Sequence, residues 1–397
     1  MTEPTPSLFE RIGVRRAING VGPATRLGGL PLHPAVLDAM VQATAYAVHM
    51  GDLEDRAGKE IARLLEVEAA YVTSGAAAAL TLATAAIISG TDPARADSLP
   101  RIETAPHKVI VLAAQRDPYD RAVEFAGAEL VVVGYPTSTH LGEIERAIDG
   151  QTAAVLYRPG RAGNHPSLAA ICELASSKGV PVLIDGALYA PPLENLRQWL
   201  KDGAALVALS GGKNFRGPQA TGILCGRTEF IALIGAQHQD MDERESTWVR
   251  GGDGITPPRH GVGRAMKVGR EQIAGLVAAV ESYVAAPGAG DAAGIAELEK
   301  LHGLLGNSPI PAVWHETSVL GVPVIELQVA DAGLDVDAFV KALAAREVPV
   351  YLEEADAWRG VLVVHPMALI DGDAEGLATA FAELAGHRGL TSGGEIR

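Results

Sequence analysis

The chain has 397 residues, 48% of them hydrophobic, with a formal net charge of −15 and a pI of about 5.2. That acidity excludes the basic footprint that nucleic-acid binding requires and disfavours an anionic membrane surface, so small molecules are the expected ligands. The apolar content suffices for a large core in more than one unit, and 45 glycines and 24 prolines scattered along the chain point to a many-turned α/β protein.

The N-terminal MTEPTPSLFERIG lacks the basic region and apolar run of a signal peptide. No uninterrupted apolar stretch reaches about 18 residues, so a soluble, cytoplasmic protein is expected. A glycine-rich arm, INGVGPATRLGGL, precedes helical spacing in HPAVLDAMVQATAYAV and in EDRAGKEIARLLEV, where Ile61, Leu64 and Leu65 share a face. AAYVTSG predicts a short strand and AAAALTLATAAIISG a buried, alanine-rich helix. The strand-like runs KVIVLAA, AELVVVG, AAVLYRP, PVLIDGA and ALVALSGG follow, with helical segments such as YDRAVEFAGA and LAAICELASSKG among them. This alternation predicts right-handed βαβ units and a mostly parallel sheet covered on both faces.

After about residue 260 the pattern changes. MKVGREQIAGLVAAVESYVAA predicts one long amphipathic helix and APGAGDAAG a linker; GAGDAAG follows a helix and not a strand, which argues against a dinucleotide loop. The tail alternates strands (VPVIELQVA, GVLVVHP) with helices (DVDAFVKALAAR, DAEGLATAFAELAG). The expected division is an arm and first helix over 1–45, a large domain over 46–260, and a connecting helix with a smaller α+β domain over 261–397. Cys172 and Cys225 lie in apolar runs without a C-x-x-C pair, which predicts small buried side chains. His49, His107, His140, His165, His260 and His365 show no metal-binding spacing, so no metal is expected.

Three places can carry chemistry. In TSGAAAAL, residues 73–80, a strand passes through Ser-Gly into an alanine-rich helix, whose first unpaired N–H groups and dipole favour an anion. In VLIDGALYAPP, Asp185 ends an apolar run at the carboxyl end of an expected central strand, the edge where open α/β sheets bind ligands. In SGGKNFRG, Lys213 sits in a glycine-lined turn between two strand-like runs, one helix-and-strand unit after Asp185. An anion cradle, a carboxylate and a lysine in this order are what pyridoxal 5′-phosphate needs for its phosphate, its pyridinium nitrogen and its aldehyde.

SGGKNFRGPQATGILCG resembles the lysine segment of the SelA-like branch of fold-type-I pyridoxal-phosphate enzymes, the aspartate aminotransferase superfamily. That branch includes bacterial selenocysteine synthase and D-glucosaminate-6-phosphate ammonia-lyase. INGVGPATRLGGL, DLEDRAGKEIARLLEVEAAYVTSGAAAAL and HGVGRAMKVGREQIAGLVAAVE are similar too. The resemblance runs from about residue 11 through the long helix, and more loosely through the tail. It implies a large domain with a mostly parallel seven-stranded sheet and a smaller C-terminal α+β domain. It also implies Lys213 as the Schiff-base lysine, Asp185 as the pyridinium partner, Ser74, Gly75 and Ala76 as the phosphate turn, and Ser210 as a hydroxyl reaching the phosphate. Gln115-Arg116 stand where relatives often carry His-Arg, so Gln115 takes the place of a ring-stacking histidine. Arg359 resembles a substrate-carboxylate arginine, with Arg26 and Arg158 as competitors. Arg264 and Lys267 would meet the phosphate of a neighbouring subunit.

The implied function is a pyridoxal-phosphate enzyme acting on an amino acid or amino sugar acid, by way of a substrate Schiff base and a Cα carbanion. β-Elimination of the ammonia-lyase type is the leading exit; racemisation, aldol cleavage and transamination share the intermediate. The expected assembly is a homodimer or higher homo-oligomer with shared active sites. The acidic charge sets selenocysteine synthesis on tRNA aside. A non-catalytic binding protein is opposed by the intact Lys213, Asp185 and SGAAAA, and an NAD oxidoreductase by the lack of G-x-G-x-x-G after the first strand.

Overall fold

The computed structural model describes residues 7–102, 105–160, 163–189, 192–238 and 261–386. His260 and the boundary at 260 lie outside them. In chain order the first strands are β1 (Ile18–Gly20), β2 (Ala69–Thr73), β3 (Lys108–Leu112), β4 (Glu129–Val133), β5 (Thr152–Tyr157) and β6 (Val182–Asp185). They are followed by β7 (Leu206–Ser210), β8 (Gly222–Gly226), β9 (Ala312–His315), β10 (Val324–Gln328), β11 (Val350–Leu352) and β12 (Val361–Val364).

Seven strands form one sheet in the order β2-β8-β7-β6-β5-β3-β4, parallel except for β8, which runs antiparallel to both its neighbours. The expected mostly parallel seven-stranded sheet is therefore present. Its strands are apolar on both faces, and alternate residues enter two cores. Ile110, Leu112, Ile184, Val207 and Leu209 face one core; Val109, Leu183, Leu206 and Ala208 face the other. Helix Ala76–Ser89 lies in the second core, buried almost all round, because its alanines let it approach the sheet closely.

The chain divides into two compact units, Leu32–Pro287 and Met1–Pro31 with Gly288–Arg397. This differs from the expected division in two ways. The connecting helix, Arg270–Ala285, belongs to the large unit, where it packs on helices Pro34–Ala43 and Met50–Leu65. The N-terminal arm belongs to the smaller unit, because β1 pairs in parallel with β11, Ile18 opposite Val350. Within that unit β12-β10-β9 form an antiparallel sheet. Ile325, Leu327, Phe339, Leu362 and Phe381 fill its core. Part of the expected linker is already helix, Ala292–Leu304. No single described helix is long and apolar enough to cross a membrane.

Candidate active site

The register of the large sheet brings the sequence-selected positions to one edge. Thr73 and Ser210 both stand opposite Gly222, Asp185 is level with Ala208 two residues before Ser210, and Tyr157 is level with Ile184. Since β2, β5, β6 and β7 run the same way, the residues after them share the carboxyl-terminal edge, where open α/β sheets bind ligands.

At β2 the chain turns through Ser74 and Gly75 into helix Ala76–Ser89. Gly75 caps that helix at φ +146° without a side-chain hydrogen bond to the helix N–H groups. Ser74, Gly75 and Ala76 are partly exposed, and a Cβ added to Gly75 would meet nothing within 4 Å. The Thr73 hydroxyl donates to Gly75 O at 2.9 Å, bracing the turn from behind. An open helix start with unspent N–H groups fits a phosphate.

At the end of β6, Asp185 is largely buried and paired. Arg158 Nε donates to its Oδ2 at 3.0 Å, while Oδ1 receives, among the described residues, only a long 3.4 Å contact from Ala187 N–H. Arg158, expected as a candidate for the substrate carboxylate, is instead turned inward at 4% exposure. Its Nη1 donates to Asp120 Oδ1 at 2.5 Å and to Gln115 O at 2.8 Å. A guanidinium already held between two carboxylates is poorly placed to take a third. Gln115 is also turned inward, at 2% exposure, and its Oε1 accepts the Arg158 backbone N–H at 3.0 Å. It braces that strand end and lacks the exposed face that ring stacking requires.

Lys213 lies in a loop folded tightly on itself. Gly211 N–H donates to Thr221 O at 2.9 Å, Gly217 N–H to Gly211 O at 2.8 Å, and Arg216 N–H to Lys213 O at 2.8 Å. A Cβ on Gly211 would lie 2.2 Å from Thr221 Oγ1, so glycine is required there by close approach. Burial pushes the Lys213 ammonium below the ordinary lysine value, against the opposing pull of Asp185 and Asp117. A larger neutral fraction makes the amine a better nucleophile and base.

Arg26 and Arg359 belong to the smaller unit and are about half exposed. Arg26 reaches Glu354 at 3.4 Å and lies over the Tyr351 ring at 5.6 Å; Arg359 stands 3.6 Å from Asp356. Arg264 lies in the turn Val262–Met266 and Lys267 directly after it, exposed. Sequence reasoning missed Asp117 and Asp120, although the R-D-P-Y-D spacing of Arg116 and Asp120 was a visible signal for their ion pair. Among the described residues no group of three or more His, Cys, Asp or Glu side chains is arranged to hold a metal.

A helix start without a side-chain cap, a paired carboxylate and a half-buried lysine along one sheet edge fit pyridoxal phosphate, and the protein is a pyridoxal-phosphate enzyme of fold type I. The SelA family, described as L-seryl-tRNA selenium transferase, matches residues 18–241, and the chain belongs to it. D-glucosaminate-6-phosphate ammonia lyase of Salmonella typhimurium is 27% identical, over 96% of this chain and 99% of that protein. A 5′-C-glycyluridine monooxygenase-decarboxylase of Streptomyces sp is 28% identical, over 98% and 94%. A solved structure of D-glucosaminate-6-phosphate ammonia-lyase superposes with a TM-score of 0.81 at 26% identity, covering 97% of this chain and all of that one.

Proposed function

We propose that this protein is a lyase that eliminates a leaving group from Cβ of an amino acid or amino sugar acid after removing the Cα proton. The observation that carries this reading is the near full-length similarity, in sequence and in fold, to an ammonia lyase. Bound at the sheet edge, the cofactor would supply an aldehyde for the substrate amine and an electron sink that acidifies the Cα–H bond. Ser74, Gly75, Ala76 and Ser210 hold its phosphate and Asp185 its ring nitrogen. Lys213 would anchor the aldehyde until the substrate amine displaces it there, and its freed Nζ would then take the Cα proton. The depressed lysine value supports that role, because a neutral amine is the competent base. Arg359, with Arg26 as competitor, binds the substrate carboxylate.

Two copies form the working unit in the cytoplasm, and Arg264 and Lys267 meet the neighbour's phosphate. In support, Leu37, Val41, Tyr46, Val48 and Met50 present apolar side chains to solvent along one stretch of the large unit. Light scattering at the mass of a monomer would remove the dimer from the proposal.

The test is a visible spectrum of the purified protein, followed by titration with L- and D-amino acids and amino sugar acids in D₂O. A visible band that Lys213→Ala abolishes, with Cα deuteration and release of ammonia and a keto acid, is the expected result. A spectrum unchanged in Lys213→Ala would sink the lysine assignment. The Streptomyces relative favours one second reading, oxidative decarboxylation. Consumption of O₂ with release of CO₂, in place of elimination, would select it.

A further inference from the structure

Resting on the proposed role of Asp185, we infer that Arg158 is a positioning residue that sets this carboxylate for the cofactor's ring nitrogen, and that Asp120 in turn sets Arg158. The groups form an alternating chain of charge across the ends of β3, β5 and β6. Arg116 Nε donates to Asp120 Oδ2, Arg158 Nη1 to Asp120 Oδ1 at 2.5 Å, and Arg158 Nε to Asp185 Oδ2 at 3.0 Å. The inner members are withdrawn from water, with side-chain exposures of 6% for Asp120, 5% for Arg158 and 13% for Asp185.

A planar guanidinium donates in fixed directions, so two bonds to two different carboxylates define the plane in which each is held. A lysine in its place would supply charge without direction. The division of labour on Asp185 follows from the contacts. Oδ2 is taken by Arg158, whereas among the described residues Oδ1 has only the 3.4 Å contact from Ala187 N–H and keeps acceptor capacity for a donor arriving at the sheet edge. Arg158 itself is oriented twice more, through its backbone N–H on Gln115 Oε1 and its Nη1 on Gln115 O. Among the described residues its Nη2 is buried without a partner, so they do not consume every donor of this guanidinium. A purely structural buried arginine would be expected to be fully paired.

The experiment is a double-mutant cycle on the protein stripped of cofactor and titrated with pyridoxal phosphate, read as a dissociation constant and as the visible circular dichroism of the bound cofactor. Arg158→Met should weaken binding about tenfold and alter the dichroism, and most of that effect should vanish in an Asp185→Asn background. Arg158→Lys and Asp120→Asn should shift both readouts the same way, and they carry the test alone if Arg158→Met does not fold. Wild-type values in the folded Arg158 variants overturn the inference. So does an Arg158→Met effect of undiminished size on the Asp185→Asn background, because Arg158 would then act independently of Asp185. Failure of the wild-type protein to bind pyridoxal phosphate is a separate outcome, which overturns the proposed function and this inference with it.

Discussion

Gly222 packs against Gly75 so closely that a Cβ at 222 would lie 2.4 Å from the carbonyl carbon of Gly75 and 2.7 Å from its oxygen. Gly222 is the residue that Thr73 and Ser210 both face, so β8 leaves room for the Gly75 turn by having no side chain at this position. Backbone atoms cannot yield as the tip of a flexible side chain can. Gly222→Ala should therefore cost about 1–3 kcal/mol of stability through overpacking. It should also displace the Ser74–Gly75 turn and weaken pyridoxal-phosphate binding. Thermal unfolding and cofactor titration check the two effects; unchanged cofactor affinity would mean that the turn does not hold the phosphate.

Lys213 gives a pH dependence with a definite sign. Burial lowers its value, while Asp185 and Asp117 oppose the shift. Capture of pyridoxal phosphate by the cofactor-free protein should accelerate with rising pH through a midpoint below the ordinary lysine value of about 10.4. Asp117→Asn removes one opposing charge and should move that midpoint lower still. The same shift acts on stability: between the folded and the unfolded lysine values the unfolded chain holds the extra proton, so stability of the cofactor-free protein rises with pH across that window. A capture rate that keeps climbing to the free-lysine midpoint would contradict the burial argument.

Both cysteines should be silent in the native protein. Burial pushes the Cys172 thiol up to about 11 and the Cys225 thiol up to about 12, and both lie in the same core of the large unit. At pH 8 neither forms appreciable thiolate, the reactive species. A disulfide reagent should label none in the folded state and two after denaturation. Fast labelling of the native protein would show that this core opens.

The strands of the large sheet were legible because a parallel strand covered on both faces must be apolar throughout, as KVIVL and LVALS are. β9 and β11 were not: AVWH alternates between partly buried and exposed residues, and VYL is only three residues long. Nor could local pattern reveal that β1 pairs with β11, since that contact joins Ile18 to Val350. The site divides in the same way. Lys213, Asp185 and Ser74 to Ala76 stand at strand ends flanked by turn residues, and a reader of local signals finds them. The ion chain through Asp120 and Arg158 spans 38 residues of sequence and exists only once β3 and β5 lie side by side. Arg158 accordingly reads in the sequence as one of three candidates for a substrate carboxylate, although the fold buries it.

With Arg158 committed to Asp120 and Asp185, Arg26 and Arg359 remain as the proposed candidates for the substrate carboxylate. Arg26 is engaged by the Tyr351 face and by Glu354, whereas Arg359 has a long 3.6 Å contact with Asp356 and stands beside Trp358, which is 83% exposed. The looser engagement of Arg359 leaves its guanidinium fork better able to reorient onto a carboxylate. Loss of a charged hydrogen-bonding pair costs about 1.5–3 kcal/mol, so Arg359→Ala should raise KM by about tenfold or more while kcat falls far less. Arg26→Ala should change KM little. Steady-state kinetics on both variants decide the assignment: the reverse pattern transfers the carboxylate to Arg26, and parallel losses in kcat would place both arginines in the chemical step.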